Sequence, residues 1–109
     1  MDLNIYQAKA RQTALYPNKD SNYIYPTLGL AGEAGELANK VKKISRDHAD
    51  VLDESQKRDI AEELGDVLWY VSNLASELTM SLDEVAQRNL DKLASRKERG
   101  TLHGSGDHR

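Results

Sequence analysis

Apolar residues recur along this chain with a helical rhythm. From Leu30 they fall at Leu30, Ala34, Leu37, Val41 and Ile44, a 4-3-4-3 spacing that gathers side chains onto one buried face of an amphipathic helix. The run Ile60, Leu64, Val67, Val71, Leu74 and Leu78 repeats the rhythm, so two helices are expected to pack side by side through these stripes. A further line, Leu82, Ala86, Leu90 and Leu93, follows the capping pattern Ser81-x-x-Glu84 and predicts a last helix that stops near Gly100.

Ahead of these stripes, Asp2 is placed to cap a first helix running to about Leu15, and the turn-forming residues from Tyr16 to Asn22 predict a loop. Pro26 or Thr27 then opens the second helix, Arg46 to Ser55 forms a polar connection, and the third helix extends to about Met80. Gly29, Gly32, Gly35 and Gly65 fall inside these helices. Each glycine costs up to ~1 kcal/mol of helix propensity, which is tolerable where another backbone or a ligand approaches closely. No segment reads as a strand. The expected fold is all-α, an antiparallel bundle of four main helices spanning 1–100, with a short Gly-rich tail over 101–109. By composition that tail is a disordered end, though one able to fold over a ligand.

The polar positions add chemistry to this frame. Two carboxylate pairs, Glu33-x-x-Glu36 and Glu63-x-x-Asp66, occupy matching places on the two central helices. With roughly 100° per residue, the first acid of each pair lies about 60° and the second about 120° to one side of its stripe. The acids therefore border the core, whereas Glu62 lies nearly opposite its stripe. Four oxygen donors converging from facing helices suit a hard divalent cation, Mg²⁺ or Mn²⁺, better than zinc or copper. A solvated helix flank would carry acids too, but like charges beside a core repel one another unless a cation offsets them. On the last helix Asn89, Lys92 and Arg96 share one flank at similar offsets. An ammonium and a guanidinium there can hold phosphate as a point charge and as a fork, or can simply complement the helix C-terminus.

Composition narrows the field. With 109 residues there is room for one domain and one modest core, so self-association is expected to help cover the apolar faces. A balance of 15 basic and 18 acidic residues, net −3, argues against a general nucleic-acid binder. The absence of cysteine removes disulfides, thiol catalysis and zinc–thiolate sites. No apolar run approaches the ~18 residues of a membrane span and no leader pattern opens the chain, so a cytoplasmic protein is expected. His48, His103 and His108 lack the Glu-x-x-His pairing of bundled di-iron sites, and no phosphate-cradling Gly-x-x-x-x-Gly-Lys loop occurs.

At these residues the chain resembles the MazG-like family of all-α nucleoside triphosphate pyrophosphohydrolases. Gly29-Leu-Ala-Gly-Glu-Ala-Gly-Glu-Leu-Ala38 is similar to its first metal motif and Glu62-Glu-Leu-Gly-Asp-Val-Leu-Trp69 to its second, with 26 residues between Glu36 and Glu63. Asn89-Leu-Asp-Lys-Leu-Ala-Ser-Arg96 resembles the following phosphate-contacting helix, and the Gly104-Ser-Gly-Asp-His-Arg109 ending resembles a small single-domain bacterial and phage subgroup. The resemblance implies Mg²⁺-dependent conversion of a nucleoside triphosphate, often a deoxy one with guanine or cytosine, to the monophosphate and pyrophosphate. Glu33, Glu36, Glu63 and Asp66 would hold two or more ions, with Glu33 as general base and Glu36 beside it. Asn89, Lys92 and Arg96 would contact phosphates, joined by Lys40 one turn beyond Glu36 and by Arg109 of the tail. It also implies a homodimer, often a dimer of dimers, located in the host cytoplasm for a phage protein. Alternatives are a dUTP, dCTP or phosphoribosyl-ATP pyrophosphohydrolase on the same scaffold, or a non-catalytic helical oligomerisation module. Tyr6, Tyr16, Tyr23, Tyr25, Trp69 and Tyr70 are the rings available to stack on a base, or to serve as ordinary core.

Overall fold

The computed structural model describes residues 1–49, 51–101 and 103–109. Asp50, in the predicted connection, and Leu102, in the tail, lie outside the described residues. The chain forms α1 (Leu3–Gln12), α2 (Ile24–His48), α3 (Glu54–Glu77) and α4 (Leu82–Glu98), with no strand among the described residues. The all-α expectation is met, and the differences lie at helix ends. Asp2 caps α1 as anticipated, its side chain accepting from the Ile5 amide at 2.8 Å, but the helix stops at Gln12 because the Thr13 amide and hydroxyl turn back onto the Ala10 carbonyl. Helix α2 begins at Ile24, two residues before the proline that fits a first turn, and runs on to His48, where Ala49 takes a left-handed conformation (φ 52°).

Helix α3 opens on a capping box that the sequence reading missed: the Asp53 side chain accepts from the Gln56 amide and the Gln56 side chain reaches back to the Asp53 amide. It ends at Glu77, short of Met80, in a tight turn with Thr79 at φ 56° and the Met80 amide bonded to the Ala75 carbonyl. Ser81 caps α4 through the Glu84 amide at 3.0 Å.

Helices α2 and α3 pack antiparallel along their length, and α1 and α4 lean on α3. Gln7 of α1 ties the α3–α4 corner together, donating to Ser76 Oγ (3.1 Å) and the Met80 carbonyl (3.0 Å) and accepting from the Leu82 amide (2.7 Å). The fully buried apolar residues are few, Ala10, Ala14, Tyr16, Ala75 and Leu82 among them. The two central stripes are not buried faces in the single chain: Ala34, Val41, Leu64 and Leu78 stay exposed, whereas Leu30, Leu37, Ile44, Ile60, Val67, Val71 and Leu74 are half-covered. The radius of gyration is 16.6 Å, against about 13 Å for a compact chain of this length.

Below the α1–α2 loop lies a buried polar knot. Glu77 accepts from Arg11 (2.5 Å), Tyr16 (2.6 Å) and the backbone amides of Asp20 (2.9 Å) and Asn22 (2.6 Å). Arg11 also holds Asn73 (3.0 Å) and Asp20 (2.6 Å). Burial alone would push the Glu77 carboxyl up, but these donated bonds outweigh it and hold it down at about 2. The loop from residue 17 to 22, which carries two positive-φ residues, Asn18 and Asp20, is thereby fixed to α3.

Candidate metal centre between the central helices

The antiparallel register of α2 and α3 brings Glu33, Glu63 and Asp66 together. Each offers an oxygen lying within 4.8 Å of the others, a spacing that one cation can bridge. Glu33 and Glu63 are half-buried and Asp66 is exposed. Glu36, three residues on from Glu33, is not in this group; its carboxylate is exposed, and its charge reaches Glu33. The helix period is what aligns these acids, since residues three and four apart share one helix surface.

Lys40, one turn beyond Glu36, crosses the groove to Glu63 Oε1 at 2.9 Å. The second oxygen of Glu63, Oε2, is shielded from solvent, and among the described residues no side chain donates a hydrogen bond to it. Its available partners are a proton shared with Glu33 or a cation. The two carboxyls separate in basicity accordingly. Glu33 is held above its ordinary range, first by a hydrogen bond shared with Glu63, then by partial burial and the charges of Asp66, Glu63 and Glu36. Glu63 is pulled below its range, chiefly by the bond from Lys40. An orphaned carboxylate oxygen inside a cluster of acids is the arrangement expected of a site built to receive a divalent ion.

The groove also has an end wall. Gly29 sits one turn before Glu33, and Tyr70 one turn after Asp66, so the two meet directly above the acids. The Tyr70 ring lies so close that a Cβ on Gly29 would fall 2.1 Å from its Cε1 atom. Gly32, Gly35 and Gly65, by contrast, have no such neighbour among the described residues, where Gly29 alone of the helical glycines meets a close approach. Tyr70 belongs to a train of rings: Tyr16 stacks on Tyr25 at 4.9 Å, Tyr25 meets Tyr70 at 6.5 Å, and Trp69 stands edge-on to Tyr70 at 5.0 Å. Tyr16 is buried in the knot under the loop, Tyr23 is exposed, and Tyr6 feels the charge of Asp66 after partial burial.

The basic group of α4 is not assembled with the acids in the single chain. Among the described residues α2 and α4 do not pack together. Asn89 and Lys92 line an open hollow of about 560 Å³ with Met80, Val85, Arg88 and Asp91. Lys92 and the buried Arg96 face the tail instead, binding Asp107 through its side chain at 3.2 and 3.4 Å. Arg96 also bonds the Asp107 backbone carbonyl. The tail therefore folds back onto α4 rather than trailing as a disordered end. Arg109 fastens it, donating to the carbonyls of Thr101 (2.9 Å) and Gly106 (2.5 Å). Two open hollows lie on α4 and the tail, lined by none of the four acids; a cation needs only converging oxygens.

Comparison with known proteins bears on the chain as a whole. The family model described as the MazG nucleotide pyrophosphohydrolase domain matches residues 25–101, which include all four acids and all of α4. The chain is 53% identical over 114 residues to the Gene 37 protein of Mycobacterium phage L5, covering 100% of both chains. It is 39% identical over 74 residues to the uncharacterized protein YvdC of Bacillus subtilis (strain 168), covering 63% of this chain and 70% of that one. No solved structure matches. No helix among the described residues is long and apolar enough to cross a membrane. With its metal-type acids gathered between α2 and α3 inside the matched segment, the chain belongs to the MazG nucleotide pyrophosphohydrolase domain family.

Proposed function

We propose that this protein is a Mg²⁺-dependent nucleoside triphosphate pyrophosphohydrolase, acting on deoxynucleotides, that releases pyrophosphate and the monophosphate. The observation that carries the reading is the Glu33, Glu63 and Asp66 cluster with the buried, unpartnered oxygen of Glu63. Glu33, Glu63 and Asp66 would hold the ion, and Glu36 would complete the set from the same flank. Bound Mg²⁺ would supply charge neutralisation along the phosphate chain and a more acidic water. The protein's own groups do the rest. Lys40 keeps Glu63 ionised and fixes its orientation. Glu33, on the flank of the cluster, is assigned to take a proton from the attacking water. Asn89, Lys92, Arg96 and the tail's Arg109 offer an amide and three cations to the phosphate oxygens. The Tyr70 ring, backed by Gly29, walls the end of the groove against which a base can pack.

The working form is proposed to be a homodimer, or a dimer of dimers, in the cytoplasm of a phage-infected or bacterial cell. An exposed surface of 7722 Å² exceeds the about 6,100 Å² expected of a folded monomer of this mass. The excess, borne by one chain, is about twice the ~800 Å² that each partner buries in a standard interface and falls in the range of obligate dimers. Exposed Val41, Leu64, Leu68, Leu78, Leu90 and Leu93 supply its apolar part. In such an assembly α4 of one copy can approach the acids of another, which the single chain does not achieve.

The test is incubation of the purified protein with each of the eight common ribo- and deoxynucleoside triphosphates, with Mg²⁺ and then with EDTA. Metal-dependent pyrophosphate from at least one is expected, and its absence from all would refute the reading. Orthophosphate with a diphosphate product would place the cut at the wrong bond. Comparing turnover across bases separates a dUTP or dCTP enzyme from a broader one. A folded Glu36→Gln variant with full activity would remove Glu36 from the site.

A further inference from the structure

The tail's carboxylate sits on the two cations that the proposed function assigns to phosphate. Asp107 Oδ1 lies 3.2 Å from Lys92 Nζ and 3.4 Å from the Arg96 guanidinium. Both charges lower its basicity, Lys92 most. The Arg96 side chain is only 5% exposed, and among the described residues its Nε has no hydrogen-bond partner. Thr101 Oγ1, at the root of the tail, is likewise buried and has no hydrogen-bond partner among the described residues. One carboxylate oxygen is thus shared between two cations while a buried donor on the guanidinium goes unsatisfied, at a cost that buried polar groups seldom carry.

The hinge for moving this segment is built in. Helix α4 ends on Gly100 at φ 72°, with the Thr101 amide returning to the Arg96 carbonyl at 2.8 Å and the Gly100 amide to the Lys97 carbonyl at 3.3 Å. That is a glycine-dependent helix stop, and residues 103–108 beyond it form turns and bends. Gly106 makes the second reversal at φ 83°. Beyond the hinge Arg109 bonds the carbonyls of Thr101 and Gly106, and Asp107 is held on α4 through its carboxylate and its backbone carbonyl. Its side chain is 77% exposed, so water and a competing anion both reach it.

We propose that Asp107 is a resident anion: it occupies the Lys92–Arg96 cation pair in the resting protein and is displaced by a di- or triphosphate, which lets the 101–109 tail swing about Gly100. A phosphate chain carries several oxygens where Asp107 offers one, so it can serve Lys92 and both sides of the guanidinium at once. Exchange therefore relieves the orphaned Arg96 donor. The proposal rests on the phosphate role given to Lys92 and Arg96, and it concerns what those residues hold before substrate arrives.

The test separates the two ideas by leaving out both metal and turnover. The full chain, with EDTA present, is titrated with inorganic tripolyphosphate while the backbone amides of Gly104, Ser105 and Gly106 are followed by NMR. Saturable movement of these amides toward unstructured positions is expected. Asp107→Asn, which removes the charge and keeps the shape, should bind tripolyphosphate about threefold tighter or more, the scale of losing one or two exposed ion pairs. Lys92→Gln should bind it more weakly by a similar factor. Equal or weaker binding by Asp107→Asn, with Lys92→Gln still impaired, would overturn the resident-anion idea and leave the phosphate role standing. If neither the parent chain nor Asp107→Asn binds, both ideas fall together.

Discussion

Replacing Gly29 with alanine isolates the contact that closes the groove above the acids. Alanine is favoured over glycine in a helix by about 0.8–1 kcal/mol, so with no neighbour the change would stabilise α2. The new Cβ instead falls 2.1 Å from Tyr70 Cε1, 2.4 Å from Cζ and 2.5 Å from Cδ1, and must open to the 3.4 Å of ordinary contact. Three atoms of one ring are overlapped, so a small torsion of the ring tip does not relieve it. Tyr25 and Trp69 flank that ring at 6.5 and 5.0 Å. Overpacking of this kind costs about 1–3 kcal/mol, leaving Gly29→Ala between neutral and about 2 kcal/mol destabilising.

Gly32→Ala, three residues along the same helix, is the internal control. Nothing within 4 Å would meet its Cβ, so it should stabilise by about 0.5–1 kcal/mol. Thermal or urea unfolding of both variants at one protein concentration reads the difference, expected at about 1–3 kcal/mol and equivalent to several degrees in Tm. Near-UV circular dichroism should change for Gly29→Ala alone, because Tyr70 and Trp69 must move. If the two variants unfold together, the Tyr70 ring does not rest on Gly29. If Gly32→Ala is the destabilising one, a partner chain or ligand approaches α2 there.

Other consequences are as direct. Divalent cation should raise the Tm of the folded protein, by the equivalent of about 2.7 kcal/mol at a hundredfold excess over Kd, and Glu63→Gln should abolish that rise while Glu36→Gln only reduces it; a Mn²⁺ titration showing the reverse order would misassign the cluster. Glu77 is held at about 2 against an ordinary 4.5, so its stabilising effect is full above pH 4.5 and is lost as pH falls through 2; acid unfolding should show Glu77→Gln less stable at neutral pH by about 3 kcal/mol and converging on the parent in acid, and equal loss at both ends would refute the assignment. Thr79 holds φ 56°, a region a β-branched residue enters at a cost of about 1 kcal/mol or more; Thr79→Gly should raise the urea midpoint, and a lowered midpoint would mean the Thr79 side chain contributes more than the strain.

The acids were legible because a helix converts sequence spacing into angle without help from the rest of the fold. Glu33 and Glu63 lie beside the groove as their offsets from the stripes require. Register between helices is not written in spacing, so the bond from Lys40 to Glu63 and the seat of Tyr70 on Gly29 were out of reach. The Arg11–Glu77 knot was missed for a similar reason, although Asn73 and Glu77, four apart on one face of α3, were a signal that polar groups meet something there. Capping by Asp53 was readable and was hidden by treating its surroundings as a connection. The tail was misjudged because composition reports the lack of an apolar core, and this segment is held by charge.

The exposed stripes and the scattered site have one physical source. A stripe such as Ile60, Leu64, Val67 records that a face is to be buried, but not whether its cover comes from the same chain. Here α2 and α3 half-cover each other and leave Val41, Leu64 and Leu68 open, while α4 turns its cations toward the tail instead of the acids. Burying those faces within one chain would require α4 to fold across α2, and the Gln7 clamp on the α3–α4 corner holds it elsewhere. In the proposed dimer a second copy would remove the conflict, covering the apolar surface and bringing an α4 to the acids without disturbing that corner. In the single chain Lys40 bonds the cluster at Glu63, one positive charge beside the three carboxylates of Glu33, Glu63 and Asp66, which leaves the groove short of positive charge and suited to a divalent ion and the phosphates it accompanies.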